Sequence, residues 1–543
     1  MWDWRKSRSE GHPVTGWIGV QNLPHAKAGR RESRCSITGE LAELLKGEKQ
    51  MSVANATCAS PGQIKAWNQI EWSRCWKRVR KLQARIVKAV QEGRWGKVKA
   101  LQRLLTHSWA AKALAVKRVT ENQGKNTAGV DGITWSTKNS RFEAISTLKQ
   151  RGYQPKPLRR VYIPKAGSKK MRPLSIPTML DRAMQTLYKF ALEPIAETTG
   201  DPNSYGFRPK RSTHDAIRQC FTCLSKYDRA PWILEGDIKG AFDNVSHDWI
   251  MENIPINKTI LDKFMKCGYV DAGELFPTEH GTGQGSAISP TIFNMVLDGM
   301  EQEIKQLAKE IERRDRKNPK INMVRYADDF IVTGGNKEIL EQDVKPVIEK
   351  FLSERGLHLS EEKTLITHID EGFDFLGWNV RKFKGKLLIR PAKKKTIAFM
   401  DGIRAIIKSN KSAKQEKLIG VLNPKIAGWA QYHCRICAKQ TYSWVDYQIW
   451  NCLWQWAKRR HPNKNKKWIR RKYFHDVGGK SWVFSTNQEA ENNKTKNQIL
   501  MLNSASSTKI RRHIKVKSGL NPFDKAWWGY MEHRKKHKYK AET

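Results

Sequence analysis

Acid is scarce in this chain: 53 Asp and Glu stand against 100 Lys and Arg, which leaves a formal charge of +47. A surface so one-sided repels itself until a polyanion neutralises it, and it excludes a basic partner. Nucleic acid fits, because each phosphate neutralised releases counterions. Long apolar runs are missing too. Nothing approaches the roughly 18 residues needed to span a bilayer, so no membrane partner is expected. The N-terminal MWDWRKSRSEGHPVTGWIGV lacks the unbroken apolar centre of a secretory signal, and an intracellular site is expected. Cysteines are few and odd in number, nine in all, which excludes the tight disulfide framework of a small secreted domain and reads as reduced thiols. Cys220 with Cys223 and Cys434 with Cys437 have zinc-like spacing, but each pair lies inside a helical stretch and the two pairs are far apart. No structural zinc is expected.

What is present is length, at 543 residues, enough for about three or four units. Residues 1–60 are rich in Gly, Ser and Arg without periodicity and read as a poorly ordered extension. From Gln63 to about Thr120 apolar residues recur at three and four, a helical pattern with Lys and Arg on the other face. GKNTAGVDGITW supplies turns, and a helix is expected near 139–151. RRVYIPKAGSKKMRPLSIP (159–177) switches to two short β runs around a Gly-Ser turn, a basic hairpin, and a helix follows over 178–198. WILEGD (232–237) reads as a buried strand, and FPTEHGTGQGSAISPTIFNMVLDGMEQEI (276–304) as a Gly-rich loop feeding a helix. Beyond it a helix is expected near 337–355 and a β-like run at 373–380. Residues 381–543 carry about +30 of the +47, in helices followed by Trp- and Lys/Arg-rich tracts, which points to a separate nucleic-acid surface.

The stretch NMVRYADDFIVTGG puts Asp328 and Asp329 between two apolar runs. An Asp-Asp turn in a hairpin is ordinary, because Asp tolerates unusual backbone angles and bonds its own backbone. A third acid changes its meaning: Asp237 ends the strand WILEGD, and strand tips collect reacting groups. Carboxylates crowded together repel one another unless a divalent cation neutralises them. Mg²⁺ suits such oxygen donors, and two Mg²⁺ ions about 4 Å apart can activate a 3′-hydroxyl and stabilise a leaving pyrophosphate. The chemistry expected is nucleotidyl transfer.

Tyr326-Ala327-Asp328-Asp329 resembles the YxDD box of reverse transcriptases, and GDIKGAFDNVSH resembles their first metal-binding motif. IPKAGSKKMRPLSIPTMLDRAMQ, SYGFRPKRSTHDAI, TGQGSAISP, GLHLSEEKT and FDFLGWNV are similar, in order, to blocks of group II intron-encoded proteins over residues 63–480 at least. The resemblance implies an α+β right-hand polymerase: N-terminal helices and fingers over 61–230, a palm with the catalytic aspartates over 231–382, an α-helical thumb or maturase X region over 383–460, and a basic DNA-binding region over 461–543. It implies that Asp237 and Asp328 hold the metals with Asp329 a weaker ligand. Phe242 would be the aromatic gate against a ribose 2′-hydroxyl; a core phenylalanine is the plainer reading. Lys165 and Arg172 would clamp the triphosphate of the incoming dNTP, as a point charge and a bidentate fork. Gln284, between two glycines, would line the nucleotide, and Lys363 would give a proton to pyrophosphate.

LNPKIAGWAQYHCRICAKQTYSWVDYQIW resembles the maturase region. Its stripe of Trp429, Tyr432, Trp444, Tyr447 and Trp450 reads as core before base-stacking surface. Arg459, Arg460, Lys464, Lys466, Lys467, Arg470 and Arg471 are candidates for nucleic-acid backbone, as is the basic tract 533–540. Many relatives continue into an HNH nuclease with two cysteine pairs; no cysteine follows Cys452, so no second-strand nuclease is expected. The partners implied are group II intron RNA, a DNA target and primer, and dNTPs, in a ribonucleoprotein at the bacterial nucleoid in the cytoplasm. A homodimer through the N-terminal helices stays open. So do two other readings: an RNA-binding splicing cofactor with a vestigial polymerase site, and a reverse transcriptase of a retron or defence system.

Overall fold

The computed structural model describes residues 66–164, 171–488 and 498–540. The extension over residues 1–60, Lys165 and the Gly-Ser turn of the basic hairpin lie outside the described residues.

The long helical pattern at the start divides into three helices. α1 (Trp72–Gln91) buries Cys75, Val79, Gln83 and Ile86 along one stripe, and turns Arg74, Lys77, Arg78 and Lys81 to solvent. It stops before Gly93, whose φ of 68° no helix accommodates. α2 (Trp95–His107) and α3 (Trp109–Glu121) follow, separated by Ser108 in extended conformation. α4 (Lys138–Thr147) starts where the Thr137 hydroxyl accepts from the Ser140 N–H at 3.1 Å.

The basic hairpin forms as β1 (Leu158–Pro164) and β2 (Met171–Ile176), with Ile163 opposite Arg172. α5 (Met179–Thr199) runs through the middle of the first core and is buried almost throughout, because α1, α2 and α3 all pack around it. The buried Gln83 amide donates to the Phe190 carbonyl at 2.9 Å, which satisfies the one polar group on the inward face of α1. α6 (Thr213–Leu224) carries a capping box between Ser212 and Asp215.

β3 (Trp232–Asp237) is the strand expected from sequence, at the same limits. After α7 (His247–Asn253) and α8 (Lys258–Met265), two short strands, β4 (Tyr269–Asp271) and β5 (Glu274–Phe276), extend the hairpin in the order β2-β1-β4-β5. Three residues each carry no period, so sequence pattern does not reveal them. The helix expected after the Gly-rich loop is two, α9 (Ser289–Leu297) and α10 (Met300–Asp315), broken at Gly299 with φ 101°.

β6 (Asn322–Tyr326), β7 (Asp329–Gly334) and β8 (Leu365–His368) join β3 in an antiparallel sheet of order β6-β7-β3-β8. Successive residues of a strand face opposite ways, and here both ways are apolar. Leu234, Met323, Phe330 and Val332 enter a core shared with α1–α3 and α5, whereas Ile233, Val324 and Ile331 enter a second core shared with the C-terminal helices. That explains why these strands read as continuous apolar runs rather than alternating ones.

Between β7 and β8 the chain forms a helical segment ending in α11 (Lys345–Ser353). The β-like run at 373–380 is a hairpin rather than one strand: β9 (Phe373–Phe375) and β10 (Trp378–Phe383) fold back at Leu376 and Gly377, at φ 51° and 82°, and β11 (Lys386–Pro391) pairs beyond. α12 (Lys393–Ser409), α13 (Gln415–His433) and α14 (Lys439–Arg460) enclose the second core. Trp378, wholly buried, stacks on Tyr432 at 4.6 Å and donates its Nε1–H to His433 Nδ1 at 2.8 Å. The aromatic stripe therefore splits. Trp429, Tyr432 and Trp450 pack against the core, and Trp444 and Tyr447 are 36% and 61% exposed.

The basic C-terminal region holds a fold that composition does not announce. α15 (Lys466–Tyr473) runs into β12 (Phe474–Val477), which pairs with β13 (Lys480–Gln488) and then β14 (Gln498–Met501). The chain then returns across α6, where the buried Asp215 carboxylate accepts from His513 Nε2 at 2.9 Å, the Val516 N–H at 2.8 Å and Arg534 Nη2 at 3.0 Å. α16 (Trp528–Lys540) closes the described chain. No helix among the described residues is long and apolar enough to cross a membrane.

Candidate active site

Two strand ends bring the acids together. Asp237, the last residue of β3, is the register partner of Asp329, the first of β7, and Asp329 in turn pairs with Tyr326 at the end of β6. Ala327 and Asp328 make the two-residue connection between β6 and β7, with Ala327 left-handed at φ 59°, a conformation that costs a non-glycine residue roughly 1 kcal/mol. The turn is held from behind. Tyr205 N–H donates to the Arg325 carbonyl at 2.9 Å and Arg325 N–H to the Asn203 carbonyl at 3.0 Å, so the segment SYG lies against β6 as a further strand would. Gly206 lies so close that a Cβ there would sit 2.3 Å from the Ala327 nitrogen. The Arg325 guanidinium, 1% exposed, donates to Asp298 at 2.6 Å, and Asn294 Nδ2 donates to the Gly206 carbonyl at 2.9 Å.

The electrostatics follow from this crowding. Burial raises the Asp328 carboxyl above its ordinary range, and the Asp237 charge adds to the rise while Arg172 and Lys363 oppose it. Burial pushes Asp329 up to about 6, helped by the charges of Asp328 and Asp237 and by a hydrogen bond to the Asp237 side chain. Lys363 supplies the local countercharge: its ammonium pairs with Asp237 Oδ2. The reason it arrives there lies in the main chain. Ser360 N–H donates to the Asp237 carbonyl at 2.8 Å, and the turn from Ser360 to Lys363 aims the side chain back. With Lys363 on Asp237, no group of three or more His, Cys, Asp or Glu side chains among the described residues is gathered as metal ligands are. The donor set is nonetheless all hard carboxylate oxygen, and the charge of Asp237 adds to the burial that raises both Asp328 and Asp329, a repulsion that a divalent cation relieves, so these residues fit one.

The other candidates have contacts of their own. Phe242 is half-buried, its ring 4.6 Å from Phe293 and 6.1 Å from Phe207. It thus has both a core contact and an open side. Gln284 joins the hairpin through its carbonyl, which accepts from the Ser175 N–H at 2.6 Å, and its side chain donates to Asp243 at 3.2 Å. Gly285, at φ 114°, permits this approach, because a Cβ there would meet the Ser175 carbonyl oxygen at 2.5 Å. Arg172 stands exposed on β2, near enough for its charge to lower Asp328 and Asp243.

In the C-terminal region, Arg459, Lys464, Lys466, Lys467 and Arg471 are exposed. Arg460 and Arg470 have partners within the fold. Arg460 donates to the Lys411 and Ala413 carbonyls at 2.8 and 2.9 Å, and Arg470 lies 4.8 Å from the Trp482 ring. Cys220 and Cys223 are buried in the second core, where burial raises both thiols. Sequence reasoning missed Arg325 and Asp243. Arg325 adjoins a recognised motif and Asp243 lies inside one, but their partners lie 27 and 41 residues away in the chain.

Residues 163–380 match the family model described as reverse transcriptase (RNA-dependent DNA polymerase), and the acids, Phe242, Gln284 and Lys363 all fall inside that span. Residues 67–148 match the N-terminal domain of reverse transcriptase, and residues 397–474 match the group II intron maturase-specific domain. Among curated proteins, the group II intron-encoded protein LtrA of Lactococcus lactis is 31% identical over 56% of this chain and 62% of its own length. Protein YkfC of Escherichia coli is 33% identical over 52% of this chain and 82% of its own. The maturase-like protein 1 of Euglena gracilis is 26% identical over 68% of this chain and 78% of its own. The chain therefore spans less than two thirds of LtrA.

Proposed function

Because the chain belongs to the group II intron reverse transcriptase and maturase family, we propose that it copies RNA into DNA and holds its intron RNA folded for splicing and retrohoming. The carrying observation is the register of β3 against β7, which sets Asp237 beside Asp329 at the mouth of the Ala327-Asp328 turn. In this reading residues 61–230 are N-terminal helices and fingers, 231–382 the palm, 383–460 the thumb and 461–543 a DNA-binding region. Asp237 and Asp328 would hold divalent metal, two Mg²⁺ by preference, with Asp329 a weaker ligand, and metal bound there would supply a lowered pKa for a primer 3′-hydroxyl and countercharge for the pyrophosphate.

The rest of the chemistry belongs to side chains. Arg172 and Lys165 bind the triphosphate, and Gln284 lines the nucleotide. Phe242 presents its open side to the sugar, where a 2′-hydroxyl would collide. Lys363, paired with Asp237, gives its proton to the departing pyrophosphate. The exposed Arg459, Lys464, Lys466, Lys467 and Arg471 track the backbone of intron RNA or target DNA, with Arg460 and Arg470 bracing that surface from below. The working particle is a ribonucleoprotein at the bacterial nucleoid.

Primer extension on an RNA template with Mg²⁺ and dNTPs, comparing wild type with Asp328→Ala, tests the polymerase; the variant should fall by a factor of about 10³ or more. Equal cDNA yield from the two proteins would end the polymerase reading. Splicing of the cognate intron at low Mg²⁺, with and without protein, tests the maturase half separately, and Asp328→Ala should splice as well as wild type.

A further inference from the structure

Three chain segments, the turn after Gly240, the Gly-rich loop and the β1-β2 hairpin, meet at one carboxylate. Asp243 lies in the turn that follows Gly240, where its N–H donates to the Gly240 carbonyl at 2.8 Å. Its backbone is pinned against the Gly-rich loop: a Cβ on Gly281 would lie 2.5 Å from the Asp243 carbonyl oxygen, and Thr282 N–H donates to the Phe242 carbonyl at 2.6 Å. Its side chain accepts from Gln284 Nε2 at 3.2 Å. Burial raises the Asp243 carboxyl, and Arg160, the Gln284 hydrogen bond and Arg172 pull it down, which puts both guanidiniums within electrostatic reach. Arg160 is itself fixed by lying 3.7 Å over the Tyr269 ring.

We infer that Asp243 is a positioning residue for the incoming nucleotide, its carboxylate holding the Gln284 amide in place while balancing the charge of Arg160 and Arg172. Two of those three neighbours, Gln284 and Arg172, are assigned to nucleotide binding above, so this role rests on the nucleotidyl-transfer reading of the same site. The physical reason is preorganisation. A glutamine side chain has three rotatable bonds, and without an acceptor it samples several rotamers that a nucleotide must then select among. An acceptor anchored by the Gly281 contact removes that choice before the nucleotide arrives. The same carboxylate keeps two guanidiniums near a site that has no phosphate until substrate binds, which limits their mutual repulsion in the empty enzyme.

A role through Gln284 predicts an effect on nucleotide KM rather than on the chemical step. Steady-state primer extension at varied dNTP, for wild type, Asp243→Ala, Asp243→Asn, Gln284→Ala and the Asp243→Ala/Gln284→Ala double variant, reads it directly. Asp243→Ala should raise KM about tenfold with kcat within about threefold. Asp243→Asn keeps an oxygen acceptor for Gln284 but not the charge, and should recover part of the loss. In the Gln284→Ala background, Asp243→Ala should add less than about twofold, because the partner it acts through is gone. Unchanged KM in Asp243→Ala, an Asn variant as impaired as Ala, or single effects that multiply in the double variant would each overturn the role. A wild type that extends no primer would overturn the polymerase reading and this role together, whereas an active wild type with independent variants would remove only Asp243.

Discussion

At Gly206 hydrogen is the only side chain that fits, because the nearest neighbours are main-chain atoms of the turn between β6 and β7, Ala327 N at 2.3 Å and Tyr326 C at 2.9 Å from a Cβ. Backbone does not rotate out of the way as a lysine tip does. Gly206→Ala should therefore push the turn that carries Asp328 while leaving the cores intact, with primer extension falling about a hundredfold and the melting midpoint little changed. An alanine variant of wild-type rate would show that the turn does not depend on this contact. Gly236 works by the same rule against a softer neighbour, the Phe330 ring, which packs where its side chain would be. Neither glycine draws notice in the sequence. Each is one of 37, and its reason lies in a partner roughly a hundred residues away. Asp328 and Asp329 are the opposite case, since an acid pair inside an apolar hairpin is visible without any structure.

Among the elements, α13 meets β10 through a hydrogen bond that only a neutral imidazole can accept. Burial and the neighbouring His214 depress the His433 pKa to about 4, and its Nδ1 takes the Trp378 Nε1–H. An unfolded histidine titrates near 6.5, so between the two values the unfolded chain binds more protons than the folded one. This group's contribution is thus complete above about pH 6.5 and is lost as pH falls toward 4, by roughly 3 kcal/mol at most. Asn at the same place keeps an acceptor but cannot be protonated. The melting midpoint of His433→Asn should fall less steeply than that of wild type from pH 6.5 to 4.5, and parallel curves would refute the assignment. The elements also separate what is readable from what is not. β3 appears at its expected limits because six apolar-rich residues end in a clear break. α1 and α2 do not, since Gly93 interrupts an apolar period that runs on past it.

For the whole molecule, charge is the ruling feature, and among the described residues most of it faces solvent. Lys464, Lys466, Lys467 and Arg471 are exposed together on and beside α15. If they contact phosphate, replacing all four with Gln should flatten the plot of log affinity for intron RNA against log salt by up to about 3 units and leave dNTP KM unchanged. An unaltered slope would move the nucleic-acid surface elsewhere. The sequence alone determined the charge, the strand-borne acids and the ordered motifs, because these are local: a residue's ionisation, a period of two or of three to four, and a spacing along the chain. Tertiary structure decided everything that needs two distant segments at once. It brought Lys363 to Asp237, closed Gln284 onto Asp243, set Arg325 behind the Ala327-Asp328 turn and returned the C-terminal segment to Asp215. Such contacts are written in no single window of sequence, because each exists only when burying two cores on either side of one sheet has already drawn the segments together.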